Sequence, residues 1–196
     1  MTYYDTLISS IDDAYDKRTN TYWLGSVFER LITLTNDERG RWGEDLLQRF
    51  LTLSGIANDW DGDSNTKPTD GIYDIKVTST DRLEVKTATS ENNWQHENIY
   101  SRPLWDKIAF IDVDYDHIYL TIMSYDDLAY ILVPEKAIHK ELLKGATLRG
   151  SQIDKYKFDF SRRTRDHAIQ AGHTLAINIA SLDNETITTF LQSKFL

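Results

Sequence analysis

The sequence contains no cysteine and only three prolines among 196 residues. Disulfides, thiolate zinc sites and thiol nucleophiles are therefore excluded, and a reducing compartment is the expected setting. No apolar run approaches the roughly 20 residues that cross a bilayer. The first residues also lack the basic start and apolar stretch of a signal peptide. These absences predict a cytoplasmic protein without a membrane partner.

Basic residues are also scarce, because 31 acidic side chains against 22 basic ones give a net charge of −9. The deficit is uneven: residues 136–167 carry +5, whereas residues 1–135 carry −13. A local basic surface can contact the phosphates of a nucleic acid even when the rest of the protein is acidic. The alternative is that 136–167 is only a solvated helix face with a loop.

Apolar residues at helical spacing predict helices in several parts of the chain. Gly55 is placed to end one of them, Pro134 to start another and Ser161 to cap a third. The predicted helices are 3–18, 22–35, 41–54, 134–143, 162–171 and 182–195.

Alternating or apolar segments predict strands, and a run of turn-forming residues predicts a loop over 58–68. The segment 174–179 is ambiguous. The predicted strands are 72–77, 82–88, 108–113, 117–123, 129–133 and 155–160. Helices, a strand-rich middle and further helices predict an α/β fold in which helices flank a central mixed β-sheet.

The most informative segment runs from Tyr73 to Lys86. Glu84 and Lys86 are two residues apart, so on a strand they point to the same face. Asp74 begins the preceding strand and can lie beside them. Two neighbouring carboxylates repel each other unless a cation separates them, and hard oxygen ligands suit Mg²⁺. The alternative is a solvated strand face with a cross-strand ion pair, because Glu-x-Lys alone is common.

This pattern resembles the PD-(D/E)XK nuclease superfamily, in which an Asp opens one strand and Glu-x-Lys lies on the next. Asp74 and Glu84-Val85-Lys86 match, and Tyr73 stands where the family has Pro. The resemblance implies a restriction-endonuclease-like core and a single nuclease domain over 1–196. That domain would comprise N-terminal helices at 1–39, a catalytic core at 40–133 and a helical, basic extension at 134–196.

The resemblance also implies roles for individual residues. Asp74 and Glu84 would hold Mg²⁺, for which Mn²⁺ can substitute, together with the Val85 carbonyl, and Lys86 would activate the attacking water. Gly43-Glu44 resembles the helix that precedes the core strands in these nucleases, which makes Glu44 a further candidate ligand. A Glu in the first turns of a helix can instead only compensate the helix dipole.

A second aspartate competes with Asp74 for the role of principal acid. Asp70 lies closer to Pro68, but Asp70-Gly71 also has the composition of an ordinary turn. We prefer Asp74 because it enters a strand directly, and Asp70 remains the second choice or an additional ligand.

The function implied by the resemblance is Mg²⁺-dependent hydrolysis of DNA. A small chain of this kind is most similar to a type II restriction endonuclease, which would act as a homodimer on double-stranded DNA and be encoded by a bacterium, an archaeon or a phage. The alternatives are a phage or repair nuclease such as a Holliday-junction resolvase, or a catalytically silent DNA-binding module. The candidate DNA contacts are Arg162, Arg163, Arg165, Gln95 and Arg102.

Overall fold

The computed structural model describes residues 21–60, 73–77, 81–91, 93–100, 105–124, 126–127 and 155–196, together with residues 6 and 8. Within these residues the protein has the predicted α/β fold, in which three α-helices flank a mixed six-stranded sheet. None of the helices in these ranges combines the length and apolar character that a membrane crossing requires.

Eight strands are present in the described ranges. They are β1 (Asn58–Asp59), β2 (Ile75–Val77), β3 (Asp81–Thr89), β4 (Asn93–Tyr100), β5 (Lys107–Val113), β6 (His117–Ser124), β7 (Lys155–Ser161) and β8 (Thr174–Asn178). The central sheet has the order β1-β2-β3-β5-β6-β8, and β3 and β5 are its parallel pair. The other neighbours in that sheet are antiparallel. Strands β4 and β7 form a separate antiparallel ribbon.

The three α-helices are α1 (Asn36–Leu53), α2 (Arg162–Gln170) and α3 (Asn184–Phe195). A capping box between Thr35 and Glu38 starts α1, and Gly55 follows its end with a φ of +73°. Ser161 caps α2 as predicted, because its hydroxyl accepts a hydrogen bond from the Thr164 N–H.

The predicted helix over 22–35 is wrong. Two short 3₁₀ helices, Thr21–Trp23 and Glu29–Thr33, stand in its place, and a third, Ile179–Ser181, follows β8. Gly25 lies between the first two with a φ of +81°, and its N–H donates to the Glu29 carboxylate at 3.0 Å. A left-handed residue cannot continue a right-handed helix, so the chain turns at this glycine.

Each face of the central sheet has its own apolar cluster. Helices α1 and α3 bury Leu47, Leu51, Ile187 and Leu191 on the first face, against Val85 and its neighbours. The β4–β7 ribbon and α2 cover the second face. The cluster there consists of Trp94, Trp105, Ile108, Phe110, Met123, Phe160 and Ala168. Among the charged residues of the sheet, Glu84, Lys86 and Asp112 point to the second face.

Several boundaries differ from expectation. Strand β4 was not predicted, the predicted loop at 58–68 begins with β1, and the ambiguous segment 174–179 contains β8. Other predictions lie outside the described residues. These are most of the helix at 3–18, the rest of the loop, the strand at 129–133 and the helix at 134–143.

Candidate functional site

Asp74 lies just before β2, at the point where the pairing between β2 and β3 ends. The last pair of the ladder joins Ile75 to Leu83, and the Asp74 N–H donates to the Leu83 carbonyl at 2.9 Å. The Oδ2 atom of Asp74 accepts a hydrogen bond from the Val85 N–H at 2.8 Å. The carboxylate therefore occupies the position at the β3 edge that a further strand residue would take.

Glu84 and Lys86 point to the second face of the sheet, as their spacing predicts. Lys86 Nζ lies 2.5 Å from Glu84 Oε1, and their side chains are 21% and 11% exposed. Their partners in the parallel ladder are Ile108 and Phe110, which form an apolar floor beside the ion pair. We refer to Asp74, Glu84 and Lys86 as the motif cluster. Its charges are partly withdrawn from water, which strengthens their interactions.

Val85 lies between Glu84 and Lys86 in the chain and contacts Asp74 through its backbone. Its side chain is buried in the first-face core, while its N–H donates to Asp74. A strand residue directs its N–H and C=O to the same edge of the strand. The Val85 carbonyl oxygen is therefore on the same edge as the Asp74 carboxylate.

Glu44 lies on α1, next to a residue at which this helix approaches β3 unusually closely. A Cβ atom at the neighbouring Gly43 would lie 1.9 Å from Thr87 Oγ1, so only glycine allows this approach. Glu44 Oε2 accepts a hydrogen bond from Trp60 Nε1 at 3.2 Å. The helix α1 begins at Asn36, so Glu44 lies in its third turn. The prediction that Glu44 lies in the first turns of the helix is therefore wrong. Dipole compensation is therefore not its role, since that effect is confined to the first turn.

The candidate ligands do not all converge. Among the described residues, one group of three metal-ligating side chains has its ligand atoms within 4.8 Å of one another, and it does not include Glu44, Asp74 or Glu84. Asp70 and Arg102 lie outside the described residues, as does the basic stretch 136–154.

The group that does converge consists of Asp114, Asp116 and His117 in the β5–β6 turn. Asp114 Oδ1 accepts hydrogen bonds from the Asp116 and His117 N–H groups at 3.4 and 3.0 Å. His117 Nδ1 lies 2.6 Å from Asp116 Oδ1. These bonds stabilise the hairpin turn, which accounts for the residue types without a metal. The sequence signal was the Asp-x-Asp-His pattern at the predicted hairpin.

The predicted arginine cluster is wrong for Arg165. Arg162 and Arg163 are exposed, but Arg165 is only 6% exposed. Its guanidinium packs against two rings, 4.4 Å from the Trp94 centroid and 3.6 Å from that of Tyr119. Burial is the main cause that raises the Tyr119 pKa to about 12, and Arg165 opposes the increase. A guanidinium enclosed in this way contributes to packing and is not available to DNA.

Buried and exposed side chains alternate over residues 93–96. Trp94 and His96 on β4 are buried, while Gln95 between them is exposed. His96 Nε2 lies 2.9 Å from Asp112 Oδ1, and both side chains are almost inaccessible. We refer to His96, Asp112 and Arg165 as the buried cluster. Alternation of large and polar residues at 93–96 was the signal for this strand.

Comparison of the sequence with known protein families and with characterised proteins gives no match.

Proposed function

We propose that the protein is a Mg²⁺-dependent DNA endonuclease that uses Asp74, Glu84 and Lys86. One observation carries the proposal: the Asp74 carboxylate binds the backbone of Val85, the residue between Glu84 and Lys86. Asp74, the residue before β2, is thereby attached to the part of β3 that carries Glu84 and Lys86. A purely structural ion pair between Glu84 and Lys86 does not need the second carboxylate.

The donor set fits the metal that the resemblance implies. Asp74 and Glu84 would hold Mg²⁺ together with the Val85 carbonyl, and all of these donors are oxygens, the ligand type that Mg²⁺ prefers. When bound, Mg²⁺ supplies Lewis-acid stabilisation of the negative charge that develops on the phosphate.

Lys86 is the residue suited to the attacking water. Its ammonium is held 2.5 Å from Glu84 Oε1, next to the carboxylates. A cation at that position orients a water molecule through its N–H donors and favours the hydroxide form. Phe110 beside it is fully buried and limits the access of other water from the floor of the site.

The size of the chain and one proposed site per subunit support the biological class that we prefer. A type II restriction endonuclease is our preferred assignment, and a homodimer would place one site on each strand of a duplex. A repair nuclease or junction resolvase would use the same chemistry on another DNA structure. A silent DNA-binding module would bind DNA without cutting it.

Incubation with plasmid and phage DNA tests the proposal. With Mg²⁺ or Mn²⁺ we expect cleavage, and with EDTA none. Discrete bands favour restriction, a smear favours a nuclease without sequence specificity, and cleavage of a four-way junction alone favours a resolvase. Cleavage that persists in EDTA contradicts the metal mechanism, and binding without cleavage identifies the silent module.

Substitutions test the assignment of the acids. Asp74→Ala and Glu84→Ala should each abolish cleavage, whereas Asp116→Ala should not. Asp116 is the matched control because its group in the β5–β6 turn is the competing metal site. If Asp116→Ala does not cleave DNA and Asp74→Ala does, the metal site is in the β5–β6 turn and not at Asp74. Asp70→Ala should have a smaller effect than Asp74→Ala.

A further inference from the structure

The edge of β3 leads from the motif cluster to an open cavity at the end of the strand. Beyond Leu83 no residue of β2 pairs with β3, so in the described residues this edge is not covered by a neighbouring strand. Thr89, the last residue of β3, is three residues beyond Lys86, or roughly 10 Å along the strand. The cavity there has a volume of about 460 Å³. Its lining consists of Trp23, Ile32, Arg39, Thr89, Ser90, Glu91 and Asn93.

Two arginines from different helices contact the turn that forms the rim of this cavity. Arg39 of α1 donates through Nη1 to Thr89 Oγ1 at 3.3 Å. Arg162 of α2 donates through Nη2 to the Glu91 carbonyl oxygen at 3.0 Å. In the part of the chain that the structure describes, no ion pair joins either guanidinium to a carboxylate. Each guanidinium has five N–H donors, so both retain donors for a ligand.

The turn between these arginines is fixed by its own hydrogen bonds. The Ser90 N–H donates to the Val113 carbonyl at 3.0 Å, and the Asn93 N–H donates to Ser90 Oγ at 3.2 Å. Asn93 is in turn paired with Ser161, the residue before Arg162. The two positive charges are therefore held in place before any ligand arrives, which lowers the entropy cost of binding.

We infer that Arg39 and Arg162 form a phosphate clamp for the DNA backbone, and this inference rests on the proposed function. Guanidinium groups match phosphate oxygens in geometry and charge. The clamp therefore binds a DNA phosphate at the end of β3, which Arg39 approaches from the helix on the first face and Arg162 from the helix on the second face.

Salt dependence of DNA binding tests the clamp, with fluorescein-labelled 20-base-pair duplex in EDTA so that no cleavage occurs. Arg39→Ala/Arg162→Ala should flatten the slope of log affinity against log salt by about 0.9 for each phosphate that the variant no longer neutralises, or about 1.8 in total. Arg39→Lys should retain most of the slope, because the charge remains.

The control is Arg49→Ala/Lys76→Ala, which removes two exposed cations, one on α1 and one on β2, that are not candidate DNA contacts. Arg49 is paired with Asp45 at 2.9 Å, away from the turn. The control should keep the wild-type slope. An unchanged slope in the Arg39 and Arg162 double variant, or an equal change in the control, overturns the clamp.

The outcome for the clamp is separable from that for the nuclease. Wild-type protein that cuts DNA in Mg²⁺, with a slope independent of Arg39 and Arg162, overturns the clamp and leaves the nuclease assignment. Wild-type protein that never cuts, with a slope that depends on both arginines, supports the clamp and removes the nuclease assignment.

Discussion

Two clusters of charged side chains share one face of the central sheet, but they differ in their access to water. The motif cluster lies at the β3 edge, and its Glu84 and Lys86 side chains are partly exposed. The buried cluster lies under the β4–β7 ribbon and α2, where the side chains of His96 and Asp112 are 1% and 0% exposed. Phe110 separates them, because it pairs with Lys86 and its ring centroid lies 4.6 Å from that of His96.

The difference in access decides what each cluster can do. Under the proposed function, a substrate phosphate would reach the motif cluster at the point where the β2–β3 pairing ends. The buried cluster can only stabilise the fold. Among its atoms, Asp112 Oδ2 and Arg165 Nε and Nη1 are buried without a hydrogen-bond partner. Similar residue types therefore predict different consequences of mutation: loss of activity in the first cluster and loss of stability in the second.

The largest expected effect is that of Lys86→Ala on cleavage. Removal of the cation next to the attacking water should slow cleavage by about 10²–10⁴-fold. The free energy of unfolding should fall by about 1–3 kcal/mol, because the mostly buried Glu84 carboxylate loses its cation. Lys76→Ala is the control, since Lys76 is an exposed lysine on neighbouring β2. A wild-type rate of DNA cleavage in Lys86→Ala would show that Glu84 and Lys86 form only a structural ion pair.

The next effect is that of Arg165→Ala on stability. This variant removes a buried guanidinium that packs against two rings and lies near Asp112. We expect a loss of about 3 kcal/mol, measured by chemical denaturation. Arg163→Ala on the same helix is exposed and should change the free energy of unfolding by less than about 0.5 kcal/mol. Equal effects of the two variants would remove the distinction between the clusters.

A smaller loss is expected for Gly43→Ala, which presses α1 away from the motif strand. The added Cβ would meet Thr87 Oγ1 at 1.9 Å and Thr87 Cβ at 3.1 Å. Overpacking of this kind costs about 2 kcal/mol. Gly43→Ala/Thr87→Ala should recover part of that loss, because the closer clash is then absent. Thermal or chemical unfolding measures the three variants. If the double variant loses as much stability as the two single variants together, the position of α1 does not depend on this contact.

The smallest effect concerns the pH dependence of stability. Burial raises the pKa of Asp112, although His96 and Arg165 oppose the increase. Between the ordinary carboxyl pKa and the raised one, the folded protein binds more protons than the unfolded chain, so stability falls as pH rises. The Asp112→Asn variant lacks this ionisable carboxyl group.

The stability of Asp112→Asn relative to wild type should therefore improve as pH rises through that window. The slope difference is at most about 1.4 kcal/mol per pH unit for one proton. Chemical denaturation at a series of pH values measures it. Parallel stability curves for wild type and variant would show that Asp112 does not titrate differently in the two states.

Much of the fold could be predicted because its signals are local. Short apolar segments located β5 and β6, and the Gly55 stop and the Ser161 cap located ends of helices. The helix predicted over 22–35 failed at Gly25, whose conformation depends on its contact with Glu29. Strand β4 was missed because its polar composition resembles surface, while its burial comes from distant residues such as Phe160 and Phe110.

The candidate site divides in the same way. The sequence by itself determined that Glu84 and Lys86 share a face, because a strand alternates its side chains every two residues. It also determined the absence of thiol chemistry. Only the tertiary structure decided that Asp74 reaches the Val85 amide, that Arg165 is enclosed by Trp94 and Tyr119, and that Arg39 approaches Thr89. Strand register and burial arise from contacts between residues far apart in the chain, and no local pattern contains them.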